Sequence, residues 1–198
     1  MKASPNANVN FNYNYFIKDG NNCVIKNSAA ISNLNGPAIN GILKTDLSCN
    51  GDGNGTLVVN SSGGSGTIQY SIDNGQNFFA SNSFNNLFAG TYMVVVTDTA
   101  GCNATSSIDI LQPPAITVNL NSYSTACGQN NGAISINASG GTGSLLFSID
   151  SVHFSAVDSF PGLYAGNYII TVKDANQCLF YKNVTVNNLL APTVTSVT

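Results

Sequence analysis

Hydrophobic and polar residues alternate in short runs along most of the chain, the pattern of strands that bury one face. Ile68, Tyr70 and Ile72, for example, are separated by single polar residues, and clusters of Gly and Asn lie between such runs. About seven runs of this kind fall within each ~77 residues, which predicts a small β-sandwich. The positions expected to face its core are Leu57, Val59, Ile68, Tyr70, Ile72, Tyr92, Val94, Val96, Ile108 and Ile110, then Ile134, Ile136, Leu145, Phe147, Ile149, Tyr168, Ile170, Val172, Val184 and Val186.

The sequence repeats itself with a period of about 77 residues. Residues 63–73 match residues 140–150, and residues 83–92 match residues 159–168. An incomplete copy precedes these two, because residues 13–23 align with residues 92–102. We therefore expect a piece of a longer array, divided into a C-terminal remnant of a preceding repeat (1–43), a first full sandwich repeat (44–113), a second full sandwich repeat (114–191) and the first strand of a following repeat (192–198).

Tyrosine and aspartate recur at matching places in the copies. An Asp at a turn accepts hydrogen bonds from nearby backbone amides, so we expect the recurring Asp residues to cap turns. The recurring tyrosines lie near the start of a strand, which fits either a tyrosine corner or an ordinary core tyrosine. The residues given these structural roles are Asp19, Asp98 and Asp174 for the turn, and Tyr13, Tyr92 and Tyr168 for the strand.

Four motifs occur in the same order in both full copies: Cys-x-Gly…Asn-Gly, Ser-Gly-Gly-x-Gly, Leu-x-Ala-Gly-x-Tyr and Val-x-Asp-x-x-x-Cys, with small departures in the second copy. In this combination the chain resembles the SprB-type repeats of Bacteroidota surface proteins, which are related to PKD and other immunoglobulin-like modules. The resemblance implies an all-β fold of tandem immunoglobulin-like sandwiches. It also implies a large secreted adhesin on the cell surface, exported by the type IX system and used in attachment or gliding.

The composition excludes several classes of protein. All nine acidic residues are Asp, all six basic residues are Lys, and Glu, Arg and Trp are absent, which disfavours a helical fold. A net charge of −3 and the lack of guanidinium groups argue against nucleic acid as a partner. No apolar run approaches the ~20 residues of a membrane span, so no membrane insertion is expected. The first residues lack the apolar core of a signal peptide.

Five cysteines without a CxxC pattern favour disulfides over zinc, and disulfides indicate an oxidising, extracellular setting. One pairing scheme keeps the bonds within copies, and the other crosses the boundary between copies. The within-copy scheme places bonded residues at opposite ends of strands, but the sequence leaves both schemes open. The first scheme is Cys49–Cys102 and Cys127–Cys178, with Cys23 left over; the second is Cys23–Cys49 and Cys102–Cys127, with Cys178 left over.

Candidate chemistry is sparse. His153 is the only histidine, and it aligns with Asn77 of the first copy, which indicates a surface or loop residue. We therefore expect no enzyme and no catalytic residues. Asn50, Asp52 and Asn54 alternate like the start of a calcium-binding loop, but the position of the bidentate Glu is taken by a serine. These three residues are candidate calcium ligands only, and no other cofactor or metal is expected.

Three functions remain. The leading one is a non-enzymatic extracellular adhesin or stalk segment, whose partners are glycans or solid surfaces and other repeats of the same chain. The second is an accessory or carbohydrate-binding module of a secreted hydrolase, for which Tyr123, Tyr164 and Tyr181 are the stacking candidates. The third, an enzyme built on the repeats, is disfavoured by the single histidine.

Overall fold

The computed structural model describes residues 11–31 and 35–190, and every regular element among them is a β-strand. Within these residues no helix is long and apolar enough to cross a membrane. The strands are β1 (Phe11–Lys18), β2 (Val24–Ile31), β3 (Pro37–Thr45), β4 (Gly55–Gly63), β5 (Gln69–Ser71), β6 (Ser83–Leu87), β7 (Gly90–Thr97), β8 (Asn103–Ile110), β9 (Thr117–Tyr123), β10 (Thr125–Ala126), β11 (Gly132–Ser139), β12 (Leu146–Ser148), β13 (Ser159–Leu163), β14 (Gly166–Lys173), β15 (Leu179–Val186) and β16 (Asn188–Leu189).

The chain forms two compact units. The first contains β1–β8, and the second contains β9–β16 together with residues 46–55, which connect β3 to β4. Residues 37–43, which end the predicted remnant 1–43, lie in β3 of the first unit, and that remnant stays a prediction. The division of the sequence into repeats at 44–113 and 114–191 stays a prediction, and the whole of the predicted strand 192–198 lies outside the described residues.

The first unit has two three-stranded sheets, β3-β4-β6 and β5-β7-β8. Strands β7 and β8 are antiparallel neighbours over their full length, from Gly90 opposite Ile110 to Thr97 opposite Asn103. The predicted inward positions line its core, where Leu57, Val59 and Val96 are fully buried. Alternation of apolar and polar residues therefore sets which face of each sheet is buried.

The second unit repeats this arrangement with sheets β9-β11-β13 and β12-β14-β15. Its core is a single cluster, in which Ile134, Ile170 and Val172 have no exposed surface. The short strands β10 and β16 form an additional parallel pair. In each unit the first, second and fourth strands of the sandwich form one sheet and the third, fifth and sixth form the other, as in immunoglobulin-like sandwiches. The predicted all-β class of tandem immunoglobulin-like sandwiches is confirmed, whereas the number of repeats stays a prediction.

Strands β1 and β2 form a two-stranded antiparallel sheet, from Phe11 opposite Ile31 to Lys18 opposite Val24. From residue 12 to residue 30 every side chain is exposed. Tyr13, which the sequence assigned to a turn or core position, is 56% exposed. The physical reason is that a lone hairpin has two open faces, whereas the equivalent tyrosines of β7 and β14 each pack in a sandwich.

Candidate functional site

The same turn closes the hairpins β1–β2, β7–β8 and β14–β15. In each turn a cysteine N–H donates to the carboxylate of an aspartate four residues earlier, and all three distances are 2.9 Å: Cys23 to Asp19, Cys102 to Asp98, and Cys178 to Asp174. In the two sandwiches the other carboxylate oxygen accepts the N–H of Ser65 at 2.9 Å or Thr142 at 2.8 Å. The Ser65 N–H is the main reason that the pKa of Asp98 is lowered. These aspartates thus join each hairpin turn to a neighbouring loop.

One disulfide is present among the described residues, and it joins Cys49 to Cys178 with a Cα–Cα distance of 5.6 Å. Cys49 lies in the connection between β3 and β4, and Cys178 lies in the β14–β15 turn. The amide of Asn176 in that turn also donates to the carbonyl oxygen of Ser48 at 2.9 Å. The bond therefore links positions that are 129 residues apart in the sequence.

Both predicted pairing schemes are wrong. Neither contained Cys49–Cys178, and Cys23, Cys102 and Cys127 are free thiols in the structure. The within-copy bond Cys127–Cys178 fails on distance. Cys178 precedes β15, whereas the Cys127 N–H donates to the carbonyl of Leu189 beyond the other end of β15. A strand of eight residues spans about 27 Å, and a disulfide needs Cα atoms within about 7 Å.

The Cys49 loop is fixed by hydrogen bonds to the segment that follows β8. The Leu47 N–H donates to the Leu111 carbonyl at 2.9 Å, and the Leu111 N–H donates to Asp46 Oδ1 at 2.8 Å. Asn50 Nδ2 donates to the Pro113 carbonyl at 2.9 Å. These bonds fix the backbone on both sides of Cys49, whose sulfur is bonded to that of Cys178.

The weak calcium candidates lie in this same loop. Asn50 directs its amide N–H to Pro113, so the side chain acts as a donor there. Asn54 Nδ2 donates to Ser48 Oγ and, at 3.5 Å, to Asp52 Oδ2. No group of three or more His, Cys, Asp or Glu side chains among the described residues could hold a metal ion. Calcium binding at this loop stays a prediction.

A surface cavity of about 430 Å³ lies beside the disulfide in the second unit. It is lined mainly by Cys49, Asp52, Pro114, Ile116, Asp174 and Phe180. Asp174 already accepts three backbone N–H groups, from Thr142, Asn176 and Cys178. Its carboxylate is therefore engaged in hydrogen bonds that hold the β14–β15 turn and the neighbouring loop.

His153 has a structural partner in a neighbouring aspartate. Its Nδ1 lies 2.6 Å from Asp150 Oδ2, and the histidine side chain is 86% exposed. In the first unit Asn77 Nδ2 donates to Asp73 Oδ2 at the same distance. His153 thus occupies the place of a turn-capping asparagine. This hydrogen bond is also the largest cause of the lowered pKa of Asp150.

The recurring tyrosines of the two sandwiches make the same hydrogen bond. Tyr92 OH donates to the Phe88 carbonyl, and Tyr168 OH donates to the Tyr164 carbonyl, each at 2.9 Å. A strand tyrosine that bonds to the backbone a few residues upstream is a tyrosine corner. Of the two alternatives left open by the sequence, the geometry matches the corner.

Apolar side chains are exposed on the outer face of the β14–β15 hairpin. Ile169 is 52% exposed, Leu179 is 49% exposed and Tyr181 is 56% exposed. Because Leu179 pairs with Lys173 and Tyr181 with Thr171, the three residues share one face by the alternation of the strands. We call these three residues the β14–β15 face. Of the three, only Tyr181 was among the residues predicted from the sequence. The signal for Ile169 and Leu179 was that apolar residues occupy the solvent-facing as well as the core-facing positions of these two strands.

Two further tyrosines proposed for sugar stacking are also on the surface. Tyr123 is 58% exposed at the end of β9, and Tyr164 is 62% exposed in the loop after β13. Together with Tyr181 they give the second unit three exposed phenol rings. They lie on different elements, and only Tyr181 belongs to the β14–β15 face.

Comparison with known proteins finds one family model that matches part of the chain. Residues 44–77 match the family model of the SprB repeat, which confirms the resemblance that the motifs indicated. No match was found among curated proteins. The SprB repeat occurs in cell-surface proteins.

Two solved structures are similar at low identity. A C-terminal fragment of intimin, in complex with the intimin-binding domain of the translocated intimin receptor, is 12% identical with a TM-score of 0.40, over 76% of this chain and 64% of that one. The insect immune protein hemolin is 12% identical with a TM-score of 0.35, over 90% of this chain and 56% of that one. The chain thus spans less than two thirds of either protein, and scores this low support no conclusion about what it binds.

Proposed function

We propose that this chain is a non-enzymatic, extracellular adhesin or stalk segment of a repetitive cell-surface protein. The observation that carries the proposal is the Cys49–Cys178 disulfide, which encloses strands β4 to β14 in one covalent loop. When the two ends of such a chain are pulled apart, the enclosed residues cannot extend. A protein that holds a cell to a surface under flow needs this resistance to extension, whereas an enzyme does not.

The residues that recur between the two sandwiches are used to hold each sandwich together. The aspartate turns and the tyrosine corners occur in both units with the same bond lengths. Even the single histidine takes the part of Asn77 in a turn. The repeated residues therefore serve structure, and this supports a scaffold.

The β14–β15 face supplies a contact surface. It presents Ile169, Leu179 and Tyr181 with little charge beside them, apart from Lys173, which lies 4.3 Å from the Phe154 ring centre. Contact with a glycan or a solid surface removes water from an apolar and aromatic patch of this kind, which lowers the free energy and favours binding. The extracellular location, export by a type IX pathway and a part in gliding are the finer elements of this proposal.

Adsorption of the purified full chain to polysaccharide-coated and bare surfaces tests the adhesive part. We expect retention above that of an inert protein of similar charge, and a loss of retention in the double variant Ile169→Ser, Tyr181→Ser. The matched control is Val152→Ser, which alters an apolar side chain that is 72% exposed on a different loop. Retention no better than the inert protein would contradict adhesion and leave a spacer.

The exposed tyrosines favour a second candidate, a carbohydrate-binding module of a secreted hydrolase. Tyr123, Tyr164 and Tyr181 are each more than half exposed, as stacking on sugar rings requires. Titration with soluble oligosaccharides separates the two functions. Quenching of tyrosine fluorescence that is lost in Tyr164→Ser would favour the module, whereas retention on bare surfaces alone favours the adhesin.

A further inference from the structure

The loop that contains Cys127 is held in the same way as the loop that contains Cys49. The Thr125 N–H donates to the Asn187 carbonyl at 2.8 Å, just as the Leu47 N–H donates to the Leu111 carbonyl. In each case the loop follows the first strand of a sandwich and pairs with the segment after the last strand. The loop around Cys127 is anchored more firmly, because β10 and β16 also form a parallel ladder there.

Cys127 occupies the place of Cys49 in the second copy. Its N–H donates to the Leu189 carbonyl at 2.9 Å, and the N–H of Gly128 donates to Asn188 Oδ1 at 2.9 Å. Both bonds fix the backbone and leave the side chain exposed with a free thiol. The turn that follows Cys127 is one residue shorter than that after Cys49, and Cys127 has a φ of 51°.

The partner of Cys49 also has an equivalent elsewhere in the chain. Cys178 lies in the aspartate-capped turn of β14–β15, and Cys102 lies in the matching turn of β7–β8, with the same 2.9 Å bond to its aspartate. Cys102 is half-buried with a free thiol. The described residues thus carry one completed cross-link, together with one unused loop cysteine, Cys127, and two unused turn cysteines, Cys23 and Cys102.

We infer that Cys127 is a covalent attachment site for another repeat of this kind, whose aspartate-capped turn presents a cysteine as the β14–β15 turn does for Cys49. This inference deepens the proposed function, because it makes each loop cysteine the attachment point for one further repeat. By the same pairing, Cys102 forms a disulfide with the loop cysteine of a repeat that precedes the first sandwich in the sequence.

The bond forms by oxidation of two thiols. Cys127 and the turn cysteine each lose a proton, two electrons pass to a small-molecule disulfide such as oxidised glutathione, and one sulfur–sulfur bond forms as two molecules of the reduced thiol are released. The reaction proceeds by thiolate attack on a mixed disulfide. An oxidising extracellular setting supplies the disulfide reagent by chemical class.

The test uses the full chain extended by one repeat. Because Pro192 occupies the place of Pro114 in the sequence, a second copy of residues 115–190 is appended after Pro192, and the product is folded in a glutathione buffer. The appended copy carries Gln129→Asn and Gln177→Asn, so that its two cysteine peptides differ in mass from those of Cys127 and Cys178. Non-reducing peptide mapping by mass spectrometry then reads the partners of each cysteine. We expect Cys127 to be bonded to the turn cysteine of the appended repeat, while Cys49–Cys178 is retained.

Two variants make the test specific. Cys127→Ser in the extended chain should return the appended turn cysteine to a thiol that reacts with iodoacetamide. Moving the thiol by Cys127→Ser with Ser124→Cys should abolish the bond, since residue 124 precedes the anchored pair Thr125 and Asn187.

A Cys127 thiol that stays reactive, or bonds to any other cysteine, while Cys49–Cys178 is intact overturns the inference. Loss of both bonds overturns it as well, because Cys49–Cys178 is its template. Mapping reads bonds and not adhesion, so a failure here is distinct from a failure of the surface-retention experiment.

Discussion

Pulling on the two ends of the chain reveals how much of it the Cys49–Cys178 disulfide encloses. The bond joins residues 129 positions apart in the sequence at a Cα–Cα distance of 5.6 Å, so the chain between them cannot be extended while the bond is intact. A fully extended chain gains at most about 3.3–3.6 Å per residue, so reduction should add roughly 420–460 Å of contour length. The magnitude follows from covalent geometry alone and does not depend on the strength of the fold.

Single-molecule force spectroscopy of the full chain, with and without reductant, measures this gain. The control is Cys49→Ser, which should unravel to the longer length under both conditions. The two pairing schemes considered from the sequence would hide about 360 Å (within copies) or about 180 Å (across the boundary), so each is distinguishable. An oxidised chain that extends as far as Cys49→Ser would refute the reasoning, because no large covalent loop would then exist.

Three further predictions concern the turns. Asp174→Ala leaves three backbone N–H groups without their acceptor, so it should lower the free energy of unfolding by about 1–3 kcal/mol, measured by urea denaturation. The control Asp158→Ala, at an exposed residue, should change this free energy little. Equal urea midpoints for the two variants would contradict the prediction. Hydrogen bonds from Ser71 and then Asn77 lower the pKa of Asp73 from 3.8 to about 2, so this carboxylate stabilises the fold above pH 4 and loses its effect as the pH falls to 2. Asp73→Asn should therefore flatten the stability curve between pH 4 and pH 2, and an unchanged slope would argue against it. His153→Asn should retain the thermal midpoint while His153→Ala lowers it; an equal loss in both would remove the turn-capping role.

Much of the fold could be predicted because alternation reports burial directly. Leu57 and Val59 alternate with side chains that are less buried, and both are buried in the structure. The 77-residue period then transfers each assignment to the second copy, where Ile134 and Ile136 take the same positions. Tyr13 shows where this prediction of burial fails, because its strand has the same alternating pattern but belongs to a hairpin with both faces exposed.

The disulfide could not be predicted from cysteine positions. A sequence pattern places Cys127 and Cys178 at opposite ends of one sandwich, but it does not say which loop of another copy lies beside a given turn. Cys49 meets Cys178 because the connection between β3 and β4 belongs to the second unit, which follows from tertiary contacts. Both schemes paired cysteines that are closer in sequence, and neither skipped over Cys102 and Cys127.

The β14–β15 face was found only in part for a different reason. Ile169 and Leu179 are apolar residues at positions that alternation assigns to solvent, and a sequence pattern cannot separate such a residue from one that another element covers. His153 was the opposite case, because alignment with Asn77 already indicated a loop residue. The structure adds the partner, Asp150, and so explains why an imidazole fits there.

Disulfide mapping of the unaltered, oxidised chain addresses the central claim most directly. Chymotryptic cleavage after Leu47 and Leu57 isolates Cys49, and cleavage after Tyr168 and Leu179 isolates Cys178. The account predicts one linked pair of these two peptides, with Cys23, Cys102 and Cys127 alkylated as thiols. A Cys49 peptide linked to the peptide of Cys23 or Cys102 would contradict it.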